Sequence, residues 1–204
     1  MKVLLINGSP HKEGNTFIAL SEVAKSVEKE GVLTEIIHIG NDAIRGCIAC
    51  YQCFELGKCV FDDALYTKVR ECLVDADGII IGTPVYYAGA NGSLCSILDR
   101  LFFSCSDLLR YKPAASVAVC RRGGASAAFD RLNKYFTISN MPVISSQYWN
   151  SVHGLAPGDA SQDAEGLQTM RTLGRNMAWV LKNLKSNTEP QPTPEESIST
   201  NFIR

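Results

Sequence analysis

Short apolar runs alternate with longer amphipathic stretches along most of this chain. The apolar runs have the length and branched composition of strands and cover residues 2–7, 33–39, 78–82, 115–119 and 143–148. Apolar positions recur at helical spacing in residues 17–27, 63–76, 93–106, 125–136 and 163–184. Runs that are apolar throughout are typical of parallel strands buried on both faces. The pattern predicts a doubly wound α/β fold, a three-layer sandwich around a five-stranded parallel sheet.

The end of the chain has a different composition. Residues 186–199 are polar and contain three prolines, which favours an extended arm over a packed element. We therefore expect a folded domain of residues 1–185, followed by a C-terminal arm of residues 186–204.

Composition and charge narrow the function classes. A net charge of −1 argues against a nucleic-acid or anionic membrane partner. No apolar stretch is long enough to span a bilayer, and a strand begins within two residues of the N-terminus, so we expect a cytoplasmic protein without a signal peptide. Eight cysteines in such a protein call for an explanation other than structural disulfides.

The loop after the first strand has the composition of an anion site. Residues 8–16 read GSPHKEGNT and stand between a strand and a helix, whose N-terminus offers free N–H groups and a positive dipole end. The loop is neither G-x-G-x-x-G nor G-x-x-x-x-G-K-[ST], which disfavours dinucleotide binding and nucleoside triphosphatases. It suits a phosphate monoester, although an ordinary capped turn is the alternative. The residues assigned to cofactor binding here are Ser9, Pro10, His11, Gly14, Asn15 and Thr16.

Two further loops meet this one at the carboxyl edge of the predicted sheet, where doubly wound folds bind ligands. Residues 82–92 bring aromatic side chains, and residues 120–126 bring glycines and free amides ahead of a helix. A phosphate at one end and a planar polar ring at the other describe FMN. The residues assigned to the ring end are Pro84, Val85, Tyr86, Tyr87, Gly123 and Gly124.

A cysteine-rich segment follows the second predicted strand. Cys47, Cys50, Cys53 and Cys59 have the spacing C-x2-C-x2-C-x5-C, which lets successive thiolates converge on one point. Such a set suits a [4Fe-4S] cluster, and by ligand softness it also suits zinc. Free or redox-active thiols are the remaining interpretation.

Taken together, these motifs resemble those of the flavodoxin-like NAD(P)H-dependent FMN reductases, including the iron–sulfur flavoproteins. The matching pieces are residues 8–10 with 14–16, residues 82–87, residues 98–100, and the cysteine segment with Asp62 and Asp63. The resemblance implies strand order 2-1-3-4-5, bound FMN, a homodimer or homotetramer, and the four cysteines as candidate cluster ligands. Members often carry lysine where this chain has Cys95, so any contact made by that lysine is not expected here.

From these features we expect an FMN-dependent oxidoreductase that uses NAD(P)H as a transient co-substrate. Its acceptor would be a small molecule or a redox partner protein. No catalytic side chain is assigned, because the flavin carries the chemistry and the protein binds and orients it. The alternatives are an iron–sulfur flavoprotein that transfers electrons from ferredoxin and a non-catalytic redox-sensing flavoprotein.

Overall fold

The computed structural model describes residues 1–196, 198–200 and 202. Its strands are β1 (Lys2–Asn7), β2 (Leu33–His38), β3 (Gly78–Tyr86), β4 (Gly89–Ala90), β5 (Ala114–Cys120) and β6 (Ser151–His153). Its α-helices are α1 (Asn15–Lys29), α2 (Cys53–Leu56), α3 (Ala64–Asp75), α4 (Gly92–Ser104), α5 (Ser106–Leu109), α6 (Ala125–Ile138) and α7 (Ala164–Ser186). A short 3₁₀ helix, Asp159–Gln162, precedes α7.

The sheet confirms the predicted fold class. Its strands are parallel in the order β2-β1-β3-β5-β6, and β4 pairs only with β3 in an antiparallel hairpin. Apart from this hairpin strand, the order is the predicted 2-1-3-4-5. The chain reverses direction across the sheet between β1 and β3, so their carboxyl ends open a crevice at the switch point.

The sheet is buried on both faces, as the uniformly apolar strands predict. Along β1, Val3 and Leu5 pack with α1 and α7 on one side, and Leu4 and Ile6 pack with α3 and α4 on the other. All four side chains have no exposed surface. The close packing of helices on both faces fixes the carboxyl edge of the sheet, where the candidate site lies.

The predicted fifth strand at residues 143–148 is wrong. Val143 makes only an isolated bridge with Ala114, and the strand itself is β6, whose Ser151 pairs with Ala118. Between these two contacts β5 advances four positions while its partner advances eight, so the intervening chain bulges outward. Ile144 is buried, but most of the residues from 145 to 149 are exposed, so the segment has no continuous face to bury although its apolar residues resemble a strand.

The third strand is longer than predicted. It continues past Gly82 to Tyr86, and Pro84 pairs with Val119 of β5. The neighbouring β1 ends where Asn7 pairs with Gly82, so Pro84 lies in a part of β3 that has lost one neighbour. A proline is tolerated at such an edge position because no second ladder needs its N–H.

The chain after α7 has no regular secondary structure among its described residues. The Tyr111 hydroxyl donates a hydrogen bond to the Pro192 carbonyl at 3.0 Å, so the start of the arm passes close to the domain. Residues 197, 201, 203 and 204 of the predicted arm lie outside the described residues. In the part that the structure describes, no helix is long and apolar enough to cross a membrane.

Candidate functional site

The N-terminus of α1 is open toward the loop after β1. Gly14 is the N-cap residue, and no side chain caps the helix. The first backbone hydrogen bond of the helix runs from Ile18 N to Gly14 O. The N–H groups of the first turn, before Ile18, are therefore left for another acceptor. A Cβ on Gly14 would lie 3.1 Å from the Cβ of His11, so the loop leaves little room for a side chain at residue 14. The turn has the form of an anion cradle.

Buried polar side chains hold the shape of this loop. The Asn7 Oδ1 accepts from Ser9 N at 3.1 Å, and its Nδ2 donates to Lys12 O at 3.1 Å. The Ser9 Oγ accepts from His11 N at 3.1 Å, and the His38 Nε2–H donates to Ser9 O at 2.7 Å. Asn7 has no exposed surface and Ser9 is nearly buried. The loop is therefore held in shape by the protein itself, and a ligand need not order it.

The side chain of Asn15 is used differently from the prediction. Its Nδ2 donates to Ala156 O at 2.9 Å, and its Oδ1 accepts from Ala160 N at 3.1 Å. These bonds tie α1 to the loop after β6, so its backbone N–H, at the first turn of the helix, is the group of Asn15 that faces the cradle. Thr16 is buried at the same turn.

The β3–β4 hairpin presents the predicted aromatic residues. Tyr87 and Ala88 form its turn with φ of 50° and 57°, a left-handed conformation that usually requires asparagine or glycine. Backbone strain of this kind persists where the surroundings fix it, and it collects at functional sites. Tyr87 is fully exposed and Tyr86 is about half exposed, so both rings stand at the surface beside the crevice.

The three predicted loops meet. A Cβ on Gly124, which has φ +86°, would lie 2.6 Å from the Cα of Ala88 and 3.0 Å from Val85, so the third loop packs against the hairpin only because residue 124 is glycine. Gly8 N donates to Gly82 O at 2.8 Å, which ties the first loop to the start of the second.

Asn91 joins the first two loops again. Its Nδ2 donates to Gly8 O at 2.8 Å, and its Oδ1 caps α4 by accepting from Ser93 N at 2.9 Å. Its backbone N–H donates to the Thr83 hydroxyl at 2.9 Å. Sequence analysis did not single out Asn91 or Asn7. An asparagine at the end of a buried strand, or just before a helix, is the signal that would have found them.

These features fit FMN. The uncapped turn of α1 offers backbone N–H groups to an anion. The exposed hairpin rings and Gly123–Gly124 belong to the two loops that meet it at the carboxyl edge of the sheet. His11 and Pro10 are at the surface of the phosphate loop, so they border the cradle and do not form its floor.

The four predicted cysteine ligands surround one cavity. Cys47, Cys50, Cys53 and Cys59 line it together with the buried Arg100. Burial raises the pKa of the Cys53 thiol, and the three neighbouring cysteines raise it further. The loop winds tightly through Ala49 and Tyr51, whose φ values are 52° and 60°.

The two metal centres that four thiols suit need different arrangements of their ligands. Within residues 1–196, 198–200 and 202, no three histidine, cysteine or acidic side chains are placed to hold one metal ion. A tetrahedral zinc site would need such a group, with Zn–S distances of about 2.3 Å. A [4Fe-4S] cluster spreads its four thiolates over four irons, and four cysteines around a shared cavity are its donor set.

Asp99 and Arg100 are adjacent in sequence but contact different partners. Tyr135 Oη donates to Asp99 Oδ1 at 2.5 Å on one side of α4, and Arg131 lies 3.8 Å from the same carboxylate. Arg100 reaches the cysteine segment and forms an ion pair with Asp63 at 2.6 Å. Neighbouring residues on a helix point about 100° apart, so they do not pair with each other.

His153 lies at the carboxyl end of β6. Its backbone N–H donates to Asp163 Oδ2 at 2.7 Å, and its Nδ1 lies 3.3 Å from the same atom. Burial tends to raise the pKa of Asp163, but backbone and His153 hydrogen bonds lower it below its ordinary value. Asp163 also caps α7, so the pair fixes the last crossover beside the crevice.

Comparisons with known proteins agree with this geometry. The family described as NADPH-dependent FMN reductase matches residues 1–156. An iron–sulfur flavoprotein of Methanocaldococcus jannaschii is 36% identical over 194 residues, which cover 91% of this chain and all of that protein. An iron–sulfur flavoprotein of Methanosarcina thermophila is 28% identical over 201 residues, 93% of this chain and all of that protein.

A solved structure supports the fold. The crystal structure of a flavodoxin, a WrbA-like protein from Agrobacterium tumefaciens, superposes with a TM-score of 0.58 at 19% identity. The match covers 89% of this chain and 96% of that one. The fold of this chain is flavodoxin-like.

Proposed function

Since this chain belongs to the NADPH-dependent FMN reductase family, a family of flavin-dependent oxidoreductases, we propose that it binds FMN and oxidises NAD(P)H. The observation that carries the proposal is the uncapped N-terminus of α1, which opens at the same crevice where the other two loops meet. The N–H groups of Asn15 and Thr16 and the hydroxyl of Ser9 would hold the phosphate of FMN, and the hairpin and the 123–124 amides would hold its ring.

The residues of this chain would bind FMN and orient it, and none is required to move a proton in hydride transfer. Bound FMN supplies the capacity to accept a hydride and return its electrons to a second acceptor. Ser9 and the α1 dipole hold the phosphate end. The 85–88 hairpin and Gly124 fix the ring end, and Tyr86 and Tyr87 at the rim limit access of water and substrates. NAD(P)H then approaches from the exposed side of the crevice.

A second candidate is electron transfer through an iron–sulfur cluster, and the shared cavity of the four cysteines favours it. Cys47, Cys50, Cys53 and Cys59 would be the ligands. Such a centre passes single electrons, so it would connect the flavin to a one-electron carrier of the ferredoxin type. The relatives named iron–sulfur flavoproteins make the same suggestion for this chain.

A purification under nitrogen tests both candidates. We expect stoichiometric FMN on heat extraction, an absorbance band that bleaches on reduction, and about four irons per chain, as a [4Fe-4S] cluster requires. Steady-state oxidation of NAD(P)H is expected of the reductase and not of a ferredoxin-dependent protein or a redox sensor. Reduction by ferredoxin is expected of the ferredoxin-dependent protein and not of a redox sensor. Stoichiometric FAD would overturn the cofactor assignment.

Ser9→Ala tests the phosphate end separately. The lost hydrogen bond to a charged acceptor is worth about 1–3 kcal/mol, so FMN should bind roughly 5–150-fold more weakly. Riboflavin lacks the phosphate and should keep its affinity. Equal losses for both ligands would mean that Ser9 does not contact the phosphate.

A further inference from the structure

One buried guanidinium holds both ends of the cysteine segment. Arg100, on α4, donates from Nη1 to the carbonyl of Arg45 at 3.4 Å and from Nη2 to the carbonyl of Phe61. Arg45 stands two residues before Cys47, and Phe61 stands two residues after Cys59. The segment that carries all four thiols therefore leaves and re-enters the domain at a single side chain.

The charge of this guanidinium is only partly balanced. The Arg100 side chain has no exposed surface, and its ion-pair partner among the described residues, Asp63 at 2.6 Å, is 49% exposed. The ring of Tyr66 lies 4.9 Å from the guanidinium carbon and adds a cation–π contact. A buried cation facing an exposed counter-ion leaves net positive potential on its inner side.

The inner side of Arg100 faces the cysteines. Arg100 lines the same cavity as all four thiols. Its Nε is buried and has no hydrogen-bond partner within the described residues. A guanidinium is not deprotonated in proteins, so the side chain stays charged beside the thiols. A buried donor left without a partner is costly unless a ligand completes it.

We propose that Arg100 positions the cysteine centre and raises its reduction potential. The two carbonyl bonds fix the ends of the segment, and the charge with its free Nε–H stabilises the extra negative charge that one added electron brings to an iron–sulfur cluster. Cluster potentials depend on net charge and on hydrogen bonds to the sulfurs, so both features act in the same direction. The inference rests on the second candidate of the proposed function.

The sequence also provides a variant of opposite effect. Asp63 is the counter-ion of Arg100, and its Oδ1 caps α3 by accepting from Tyr66 N at 3.1 Å. Asparagine caps helices as well as aspartate does, so Asp63→Asn removes the charge and keeps the cap. If Arg100 acts by its charge, removing Asp63 should raise the potential and removing Arg100 should lower it. A merely structural role would not give shifts of opposite sign.

The experiment uses protein purified without oxygen, with iron content, FMN content and the midpoint potential of the cluster as readouts. In Arg100→Met we expect the one-electron reduction equilibrium to weaken at least tenfold, which is 59 mV. Arg100→Lys should keep the one-electron reduction equilibrium within threefold of wild type. It should release iron to a chelator several-fold faster, because one ammonium cannot bond both carbonyls. Asp63→Asn should shift the potential upward. Arg175→Met, which removes an exposed charge from α7, is the matched control and should change neither the potential nor the rate of iron release.

The outcomes distinguish this inference from the function on which it rests. FMN content equal to wild type shows that a variant has folded, and Arg100→Lys with Asp63→Asn remain informative if Arg100→Met does not fold. A wild-type potential in Arg100→Met, or a downward shift in Asp63→Asn, would overturn the electrostatic role. Wild-type iron release from Arg100→Lys would overturn the positioning role. Wild-type protein without iron would overturn the cluster and this inference together, while the FMN assignment is decided by its own extraction.

Discussion

Replacing Gly124 by alanine should damage the ring end of the candidate flavin site. The residue has φ +86°, and an added Cβ would lie 2.6 Å from the Cα of Ala88 and 3.0 Å from Val85. A left-handed conformation costs about 1–2 kcal/mol for a residue with a Cβ. The contact with Ala88 adds about 1–3 kcal/mol of overpacking, because backbone atoms cannot rotate away as a side chain does.

The strain should appear as displacement of the hairpin from the third loop. We expect Gly124→Ala to weaken FMN binding at least tenfold, since each 1.4 kcal/mol felt in binding is a factor of ten. Riboflavin should lose affinity by the same factor, because the perturbed contact is at the ring. Fluorescence titration of apoprotein with both ligands measures this, and a urea titration shows how much of the strain appears in stability.

Gly123→Ala is the matched control. Gly123 is exposed, and an added Cβ would meet nothing within 4 Å. Alanine keeps the backbone N–H that is assigned to the ring, so Gly123→Ala should lose much less FMN affinity than Gly124→Ala. Wild-type affinity in Gly124→Ala, or equal losses in both variants, would refute the assignment of the ring to this pair of loops.

Two further substitutions test the scaffold around the site. The pKa of Asp163 is lowered mainly by hydrogen bonds that outweigh its burial, some from His153, so its ionised form stabilises the fold above about pH 4 and this contribution is lost as pH falls through its folded pKa. Urea unfolding at pH 7 and pH 3 should therefore show a smaller gap between wild type and Asp163→Asn at the lower pH. Gly174→Ala would place a Cβ 2.6 Å from that of Ser26 where α7 crosses α1, and it should destabilise by about 1–3 kcal/mol. Gly92→Ala, which meets nothing within 4 Å, should not.

Strong apolar periodicity made most of the fold predictable. The first strand has the predicted bounds, and the helix after the cysteine segment begins beside Asp63, the acidic residue expected to start it. The error at residues 143–148 has a physical origin. The composition there resembles a strand, but the rings of Tyr148 and Trp149 pack against each other in a tilted arrangement at the surface. Only the pairing with β5 could show which residues enter the sheet.

The site was predictable as a set of loops but not as a set of contacts. The sequence places residues 8–16 before a helix, and the structure leaves that helix uncapped. The sequence alone could not show that the Asn15 side chain bonds to the loop after β6, because that contact spans 141 residues. The partner of Arg100 was hidden for the same reason, because the guanidinium reaches residues 39 and 55 positions away.

Arg100 holds both ends of residues 46–60, and this bears on how the length and sequence of that segment can change. The points where the segment departs and returns are both bonded to Arg100, so its length does not set the path of β2 or α3. Doubling a loop whose ends are held costs only about 0.6 kcal/mol in closure entropy. We therefore expect that a shorter, metal-free or differently spaced segment can replace residues 46–60 while the sheet keeps its topology, provided that it covers Phe103 as Tyr51 and Phe54 do.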